Sequence, residues 1–459
     1  MASVFRLWLW VGGDFWRKLL SLSTPIMAHS LTFACFGLAD AFMVAQVHET
    51  AVAATGLAGR MMLFNIMLVF GGAAGAAIFA AQLFGAGKKD QVWFPLTQAI
   101  LFSLVLTTPF ILIYSFYPEQ IVRLASDDGR FVADASLYIQ ITGWTLIGTV
   151  FVVPIESVLR SLEKTKIILL ISAASVFVNL ILNYVLIFGH WGAPAMGLEG
   201  AAWATAISRM TQTLWLVIHV VIFDKYLLPK RQQLSSLFNR TRWRIFLNIA
   251  IPQSIQQCAW AGGALTYGFI IARMGVDVLA IVSIVFPLEV VLLSLFIGLH
   301  TSSVTMLGQL LGANKLKLAW LHSQVLLSFS SACGFLICLL LWSNIFDLNQ
   351  FYSLLNLSDT ESAKKATLVM ALGLILKAYN LMAMEGVLKS GGDVRFSMNA
   401  SLIALWLVGI PSALMGALYF KLPLHWVMLL ILSEEVVKAL SSLVRIKKKK
   451  WINNLAIDA

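Results

Sequence analysis

From about residue 19 onward the chain is a succession of long apolar runs separated by short polar breaks. A hydrocarbon core of about 30 Å takes roughly 20 helical residues to cross, so runs of this length predict membrane-spanning helices. Twelve runs qualify: residues 19–44, 52–80, 93–116, 131–157, 166–188, 198–222, 244–272, 277–305, 318–343, 366–388, 396–418 and 423–444. The stretch before them, MASVFRLWLWVGGDFWRKLL, has no small-residue cleavage site behind a clean apolar core. Its Trp8, Trp10 and Trp16 suit the headgroup region, so it reads as an interfacial lead-in.

The pattern repeats. AAQLFGAGKK, with Gln82, Gly85 and Lys88, returns as LGQLLGANKL, with Gln309, Gly312 and Lys315, and 309 − 82 = 227. Pro25 in STPIM and Pro252 in AIPQS keep the same offset (252 − 25 = 227), and IESVLRSLEKTKI matches MEGVLKSGGDVRF two residues further apart (388 − 159 = 229). Each repeat holds six spans, an even number, which gives two copies of the same orientation related by an axis along the membrane normal. The expected organisation is an N-lobe over 1–222, a cytoplasmic linker over 223–243, the longest polar stretch, and a C-lobe over 244–459. Walker A and GxGxxG loops are absent, which argues against ATP hydrolysis by this chain.

Composition agrees. The chain is 59% hydrophobic and 12% charged, against about 45–50% apolar and about 25% charged in a typical soluble domain. Cys35, Cys258, Cys333 and Cys338 lie in apolar runs without CxxC spacing, so they suggest neither a zinc site nor a disulfide framework. With the N-terminus in the cytoplasm, cytoplasmic segments hold 23 Lys and Arg and the opposite side 6. That bias predicts both termini in the cytoplasm of an inner-membrane, multi-pass protein and accounts for the net charge of +11, the basic tail RIKKKK included. No nucleic-acid partner is expected; the lipid bilayer is.

Against this apolar background, single polar residues carry information, because a charge at the bilayer centre is costly. In FGLADAFMVA, Asp40 is the only acid of its span. The equivalent position of the second repeat is Tyr267 (40 + 227), so only the first lobe is expected to titrate. Glu156 and Glu385 each precede a base by four residues, Arg160 and Lys389, the favourable helical order, and read as structural ion pairs. Glu434, Glu435 and Lys438 read as interfacial. Arg209 and Lys377 fall mid-span without a partner that the sequence identifies, and Glu289 reads either as a cavity residue or as one side of a local pair.

Several ordered segments are similar to the multidrug and toxic compound extrusion (MATE) transporters, particularly their DinF-like prokaryotic branch, over essentially the whole chain. They are STPIM with GLADAFMVAQ, LYIQITG, VLRSLEKTK, VNLILNYVLIFG, GLEGAAWATAISR and GVLKSGGDVRFSMN. The resemblance implies a twelve-helix exporter with two six-helix lobes forming a V, driven by a proton or sodium gradient. It places Asp40 at the family's first-helix carboxylate, Tyr138 at its fourth-helix phenol and Thr205 at its sixth-helix hydroxyl. The fifth-helix pattern of Asn followed by an acid four residues later is here Asn179 and Asn183, so the second carboxylate is missing. The acids of the NorM-like branch meet Trp260 and either Ala378 or Asn380, so a C-lobe cation site of that type is not expected.

The function expected is secondary active export of small amphipathic or cationic organic compounds by a monomer. It is coupled to protons through Asp40 with Asn179, Asn183, Thr205 and Tyr138; sodium is the alternative ion. No enzyme chemistry, catalytic residue, bound cofactor or resident metal is expected. A lipid-linked precursor flippase is the competing carrier reading, weakened by having only Arg209 and Lys377 as clear mid-span bases. By repeat position, Gln256, Trp260, Tyr267, Glu289 and Tyr379 are candidates for a substrate cavity with stacking and cation–π contacts. Pro25 removes a backbone donor and is the candidate hinge of the first helix.

Overall fold

The computed structural model describes residues 8, 11–343, 345, 347–354, 357 and 359–456. Trp10 therefore lies outside the described residues. Every regular element among them is helical. The long ones are α1 Gly12–Ala45, α2 Glu49–Gly85, α3 Trp93–Phe116, α4 Gly129–Gly143, α5 Thr145–Ser161, α6 Thr165–Phe188 and α7 Leu198–Phe223. The second half adds α8 Arg240–Ala272, α9 Val276–Gly312, α10 Leu316–Trp342, α11 Thr360–Asn380, α12 Val394–Leu402 and α13 Leu424–Lys447. Elements α4 and α5 meet at 48° and form one bent span, so these thirteen elements account for the twelve predicted crossings.

By length and apolarity alone, nine helices among the described residues qualify as spans, ten with the bent pair. The remaining two, α8 and α13, are long enough but interrupted by polar groups such as Gln253, Gln256, Glu434, Glu435 and Lys438. Those residues are buried or partly buried, so the apolarity missing from the sequence reflects polar groups placed inside the protein. Prolines 25, 109, 154, 252 and 287 all sit within helices, as membrane helices allow where neighbours satisfy the freed carbonyls.

Two features depart from plain α-helices. Past Asn380, α11 continues as a π-helical turn, Leu381–Leu388, and α12 is prolonged through π-helical turns at Ile403–Gly409 and Met415–Tyr419. The 223–243 linker is largely short 3₁₀ turns, Lys225–Leu227 and Arg231–Phe238. It is tied down by the fully buried Asp224, which pairs with Lys164. Burial and the Asp224 charge push the neighbouring Tyr226 phenol up to about 12.

The chain forms two compact units, Ala28–Gln257 and Met1–Met27 with Cys258–Ala459. These are not the two repeats divided at the linker: each unit takes the first part of the other repeat's leading helix. In the Ala28–Gln257 unit, α2 crosses α8 at Gly71, where an added Cβ would lie 2.4 Å from the Ser254 nitrogen and 2.6 Å from the Ala250 oxygen. In the other unit, α9 crosses α1 at Gly298, whose Cβ would lie 2.8 Å from the Ser23 oxygen and 3.2 Å from the Met27 nitrogen. The pairs are related by the repeat: 298 − 71, 250 − 23 and 254 − 27 all equal 227. Both crossings need glycine because backbone meets backbone there. Around the second, Phe15, Leu19, Leu22, Phe296, Leu299 and Met306 belong to one buried apolar cluster.

Candidate functional site

The Ala28–Gln257 unit brings the predicted coupling residues together. Asp40, on α1, is partly buried, and its Oδ1 accepts a hydrogen bond from Asn183 Nδ2 at 2.8 Å. The same amide donates to Asn179 Oδ1 at 2.8 Å, the contact expected of residues four apart on one helix face. Asn179 Nδ2 in turn reaches Ser208 Oγ on α7 at 3.2 Å. Tyr138 is buried and lies within electrostatic reach of Asp40. Thr205 Oγ1 is beside the Tyr138 phenol but outside good hydrogen-bond geometry. Asp40 therefore partners Asn183; Arg60 is exposed.

The polar line continues along α6. Ser172, Ser175, Asn179 and Asn183 are all buried at spacings of three and four, a helical stripe that the sequence displays and that marks this face as polar. With Arg209, Gln212, Ser208, Phe33 and Phe36, the Ser172, Ser175 and Asn179 part of this stripe lines a small cavity with room on the order of a single water molecule. At its far end Ser172 Oγ contacts His29 Nε2 at 3.1 Å, Glu156 Oε1 at 3.3 Å and Gln212 Nε2 at 3.2 Å.

Glu156 forms the predicted pair with Arg160, at 2.9 Å. It is more than one side of a pair, however. The buried carboxylate also accepts from Gln212 at 3.2 Å and lies 3.7 Å from His29 Nε2. Arg209 has no carboxylate within 4.0 Å among the described residues; its guanidinium stacks over Phe33 at 5.0 Å and reaches Gln212 Oε1 at 3.4 Å.

The other unit holds a second cluster of charged groups. Glu434, Glu435 and Lys438 pack against one another inside the protein: Glu434 is buried and Lys438 pairs with it, and Lys438 Nζ is 3.3 Å from Glu435 Oε1. Lys377 has a partner, Glu289, and Asn380 Nδ2 donates to Glu435 Oε2 at 2.7 Å. Tyr267 donates to Glu434 Oε2 at 2.6 Å. This cluster therefore brings together three carboxylates and two lysines, Glu289, Glu434, Glu435, Lys377 and Lys438. The sequence singles out Glu289, Glu434 and Glu435, while the contacts from Lys377, Tyr267 and Asn380 come from other helices.

The five residues grouped as a substrate cavity go to different places. Tyr267 and Glu289 belong to this charged cluster, Trp260 is exposed, and Tyr379 packs against the apolar cluster around Phe296. Gln256 is buried in the Ala28–Gln257 unit. Pro25 is buried within the uninterrupted helix α1, two residues before the end of the Met1–Met27 segment.

Comparison with known proteins agrees with the helical plan. A 22%-identical relative over 444 residues, 95% of each chain, is the "Uncharacterized transporter YisQ" of Bacillus subtilis. A Vibrio vulnificus relative named "Multidrug resistance protein NorM" is 26% identical over 412 residues, 86% of each chain. A mutant of the Vibrio cholerae MATE transporter VcmN superposes with a TM-score of 0.84 at 17% identity, over 97% of this chain and 99% of that one. The MatE family model matches residues 25–185 and 252–446, most of both repeats. With the helical fold and this match, the chain belongs to the MATE family of membrane transporters.

Proposed function

We propose that the protein exports small amphipathic or cationic organic compounds in exchange for protons, working as a monomer in the inner membrane with both termini in the cytoplasm. Relatives named as multidrug resistance proteins support the cargo class. The observation that carries the coupling reading is the setting of Asp40: a carboxylate inside an apolar helix whose direct contact is a neutral amide rather than a cation. Asn183 Oδ1 and Thr205 Oγ1, both buried, have no hydrogen-bond partner among the described residues. A proton on Asp40 would supply a donor to such an acceptor. Its loss would leave a carboxylate able to attract a cationic substrate, so proton and substrate alternate at one place. Pro25 is the point at which α1 would bend as this happens.

The same unpaired oxygens also suit a sodium ion, which is the second reading, and the experiment separates the two. Purified protein is reconstituted into vesicles, and ethidium transport is driven by an imposed pH gradient or an imposed sodium gradient. The proton reading requires transport on the pH gradient alone and its loss in a folded Asp40→Asn variant. Transport driven only by sodium, or wild-type rates in Asp40→Asn, would overturn it.

A further inference from the structure

Two groups in the Ala28–Gln257 unit remain without a role in the reading above: the partly buried Arg209, a mid-span cation, and the buried Glu156 with His29 beside it. The distances connect them to Asp40. Arg209 lines the same cavity as Asn179 and Ser208, which lead to Asp40 through Asn183, and as Ser172 and Gln212, which both contact Glu156. It is in electrostatic reach of Glu156, Asp40 and Tyr138 while touching neither carboxylate. Its contacts are the face of Phe33 and one long hydrogen bond to Gln212, so no short ion pair fixes it.

We propose that Glu156, with His29, is a second proton-binding station of the exporter, and that Arg209 is the counter-ion shared between it and Asp40. The proposal rests on the proton reading of Asp40. The charged or titratable groups facing this pair among the described residues include His29 on α1, Arg160 on α5 and Arg209 on α7 around Glu156, with Arg209 and the α4 phenol of Tyr138 around Asp40. With His29 neutral, two carboxylates face two guanidinium groups, and the set is balanced. A proton on Asp40 leaves Arg209 with Glu156 as its only carboxylate; a proton on Glu156 leaves it with Asp40. The cation therefore favours one proton moving from station to station over both stations being filled.

The transfer is a plain proton exchange. The Asp40 carboxyl loses H⁺ and becomes a carboxylate, Glu156 gains it and becomes a carboxyl, and the hydroxyls of Ser208, Ser175 and Ser172 line the way from Asn179 to Glu156. His29, 11 residues before Asp40 on α1 (40 − 29 = 11), sits about 16 Å further along the helix. It lies within a turn of Pro25, at the end of the unit where Arg160 meets Glu156. It is placed to accept the proton from Glu156 and release it on that side.

The test uses the full chain, purified and in vesicles, with two readouts: infrared difference spectra between alkaline and acidic pH in the carboxylic C=O region, and ethidium export on a pH gradient. Wild type is expected to show two carboxylic bands. Asp40→Asn should lose one and Glu156→Gln the other, and Glu156→Gln and His29→Gln should lower export about 5-fold or more, the lower end of typical site-to-site coupling. Arg209→Gln should change the pH dependence of both bands together, and Arg209→Lys should restore it, which a purely structural arginine would not do. If Asp40→Asn fails to export while Glu156→Gln and His29→Gln export at wild-type rates with both bands present, the second station is wrong and the Asp40 reading stands. If Asp40→Asn exports normally, the underlying reading fails with it. Should Glu156→Gln not fold, His29→Gln and the two Arg209 variants decide: unchanged export and unlinked bands overturn the proposal.

Discussion

The two repeats put a base at the same place and use it in opposite ways. Arg209 and Lys438 are separated by 229 (438 − 209 = 229), the offset between Glu156 and Glu385, and one turn earlier Thr205 corresponds to Glu434 (434 − 205 = 229). In the second unit the acid stands on the same helix as the base, so Glu434 and Lys438 pair directly and Tyr267, in the place of Asp40, closes the cluster from α8. In the Ala28–Gln257 unit the acid is on α1, its contact is an amide, and the base touches no carboxylate within 4.0 Å among the described residues. One scaffold position thus holds a closed charge cluster in one unit and an open one in the other. A closed cluster stabilises because each charge is matched in place; an open one leaves a carboxylate free to exchange its proton.

Removing a base should therefore have unequal consequences. Lys438→Met takes the paired cation from the buried Glu434 and the partly buried Glu435 and should lower unfolding free energy by about 3–5 kcal/mol. Arg209→Met loses a cation–π contact, a long hydrogen bond and the longer-range attraction of two carboxylates that it does not touch, and should cost about 1–2 kcal/mol. Thermal or denaturant unfolding in detergent checks the order, and equal losses would break the comparison. Tyr267→Phe removes a hydrogen bond to a carboxylate and should cost about 1.5–3 kcal/mol in the same assay.

Smaller effects are expected at the ends of helices. Asp359 caps α11, accepting from the Ser362 amide at 2.9 Å, and hydrogen bonds from Ser362 hold its carboxyl below the usual carboxylate range. Because the folded value is the lower one, the cap's contribution is present above the ordinary carboxylate value and is lost as pH falls through the folded value. Asp359→Ala should cost about 1 kcal/mol at neutral pH, with the difference from wild type shrinking in strong acid. Arg123→Ala breaks an exposed pair with Glu119 at 2.7 Å and should change stability by about 1 kcal/mol or less.

What the sequence made legible follows from distance along the chain. Helices, the repeat and the Asn179–Asn183 and Glu156–Arg160 contacts are local or periodic, and each is found where the spacing puts it. The link from Asn183 to Asp40 came from the family resemblance, since the two are 143 residues apart. The pairing of Lys377 with Glu289 and of Tyr267 with Glu434 depends on which helix faces turn inward, and no spacing encodes that. Hydropathy gives Glu434, Glu435 and Lys438 no partners, because mutual neutralisation is invisible to a sum over single residues. The exchange of leading-helix segments between units was legible only afterwards, in the matching glycines 71 and 298. His29 passed unnoticed, although a histidine within an apolar span is the kind of residue that marks proton traffic.

The central claim is that Asp40 holds the proton that the substrate displaces. The most direct measurement adds ethidium to purified protein in weakly buffered detergent solution and follows proton release with a pH indicator. Wild type should release protons on binding, and a folded Asp40→Asn variant that still binds the dye should release markedly fewer. Equal release from both would place the exchanged proton elsewhere and contradict the account.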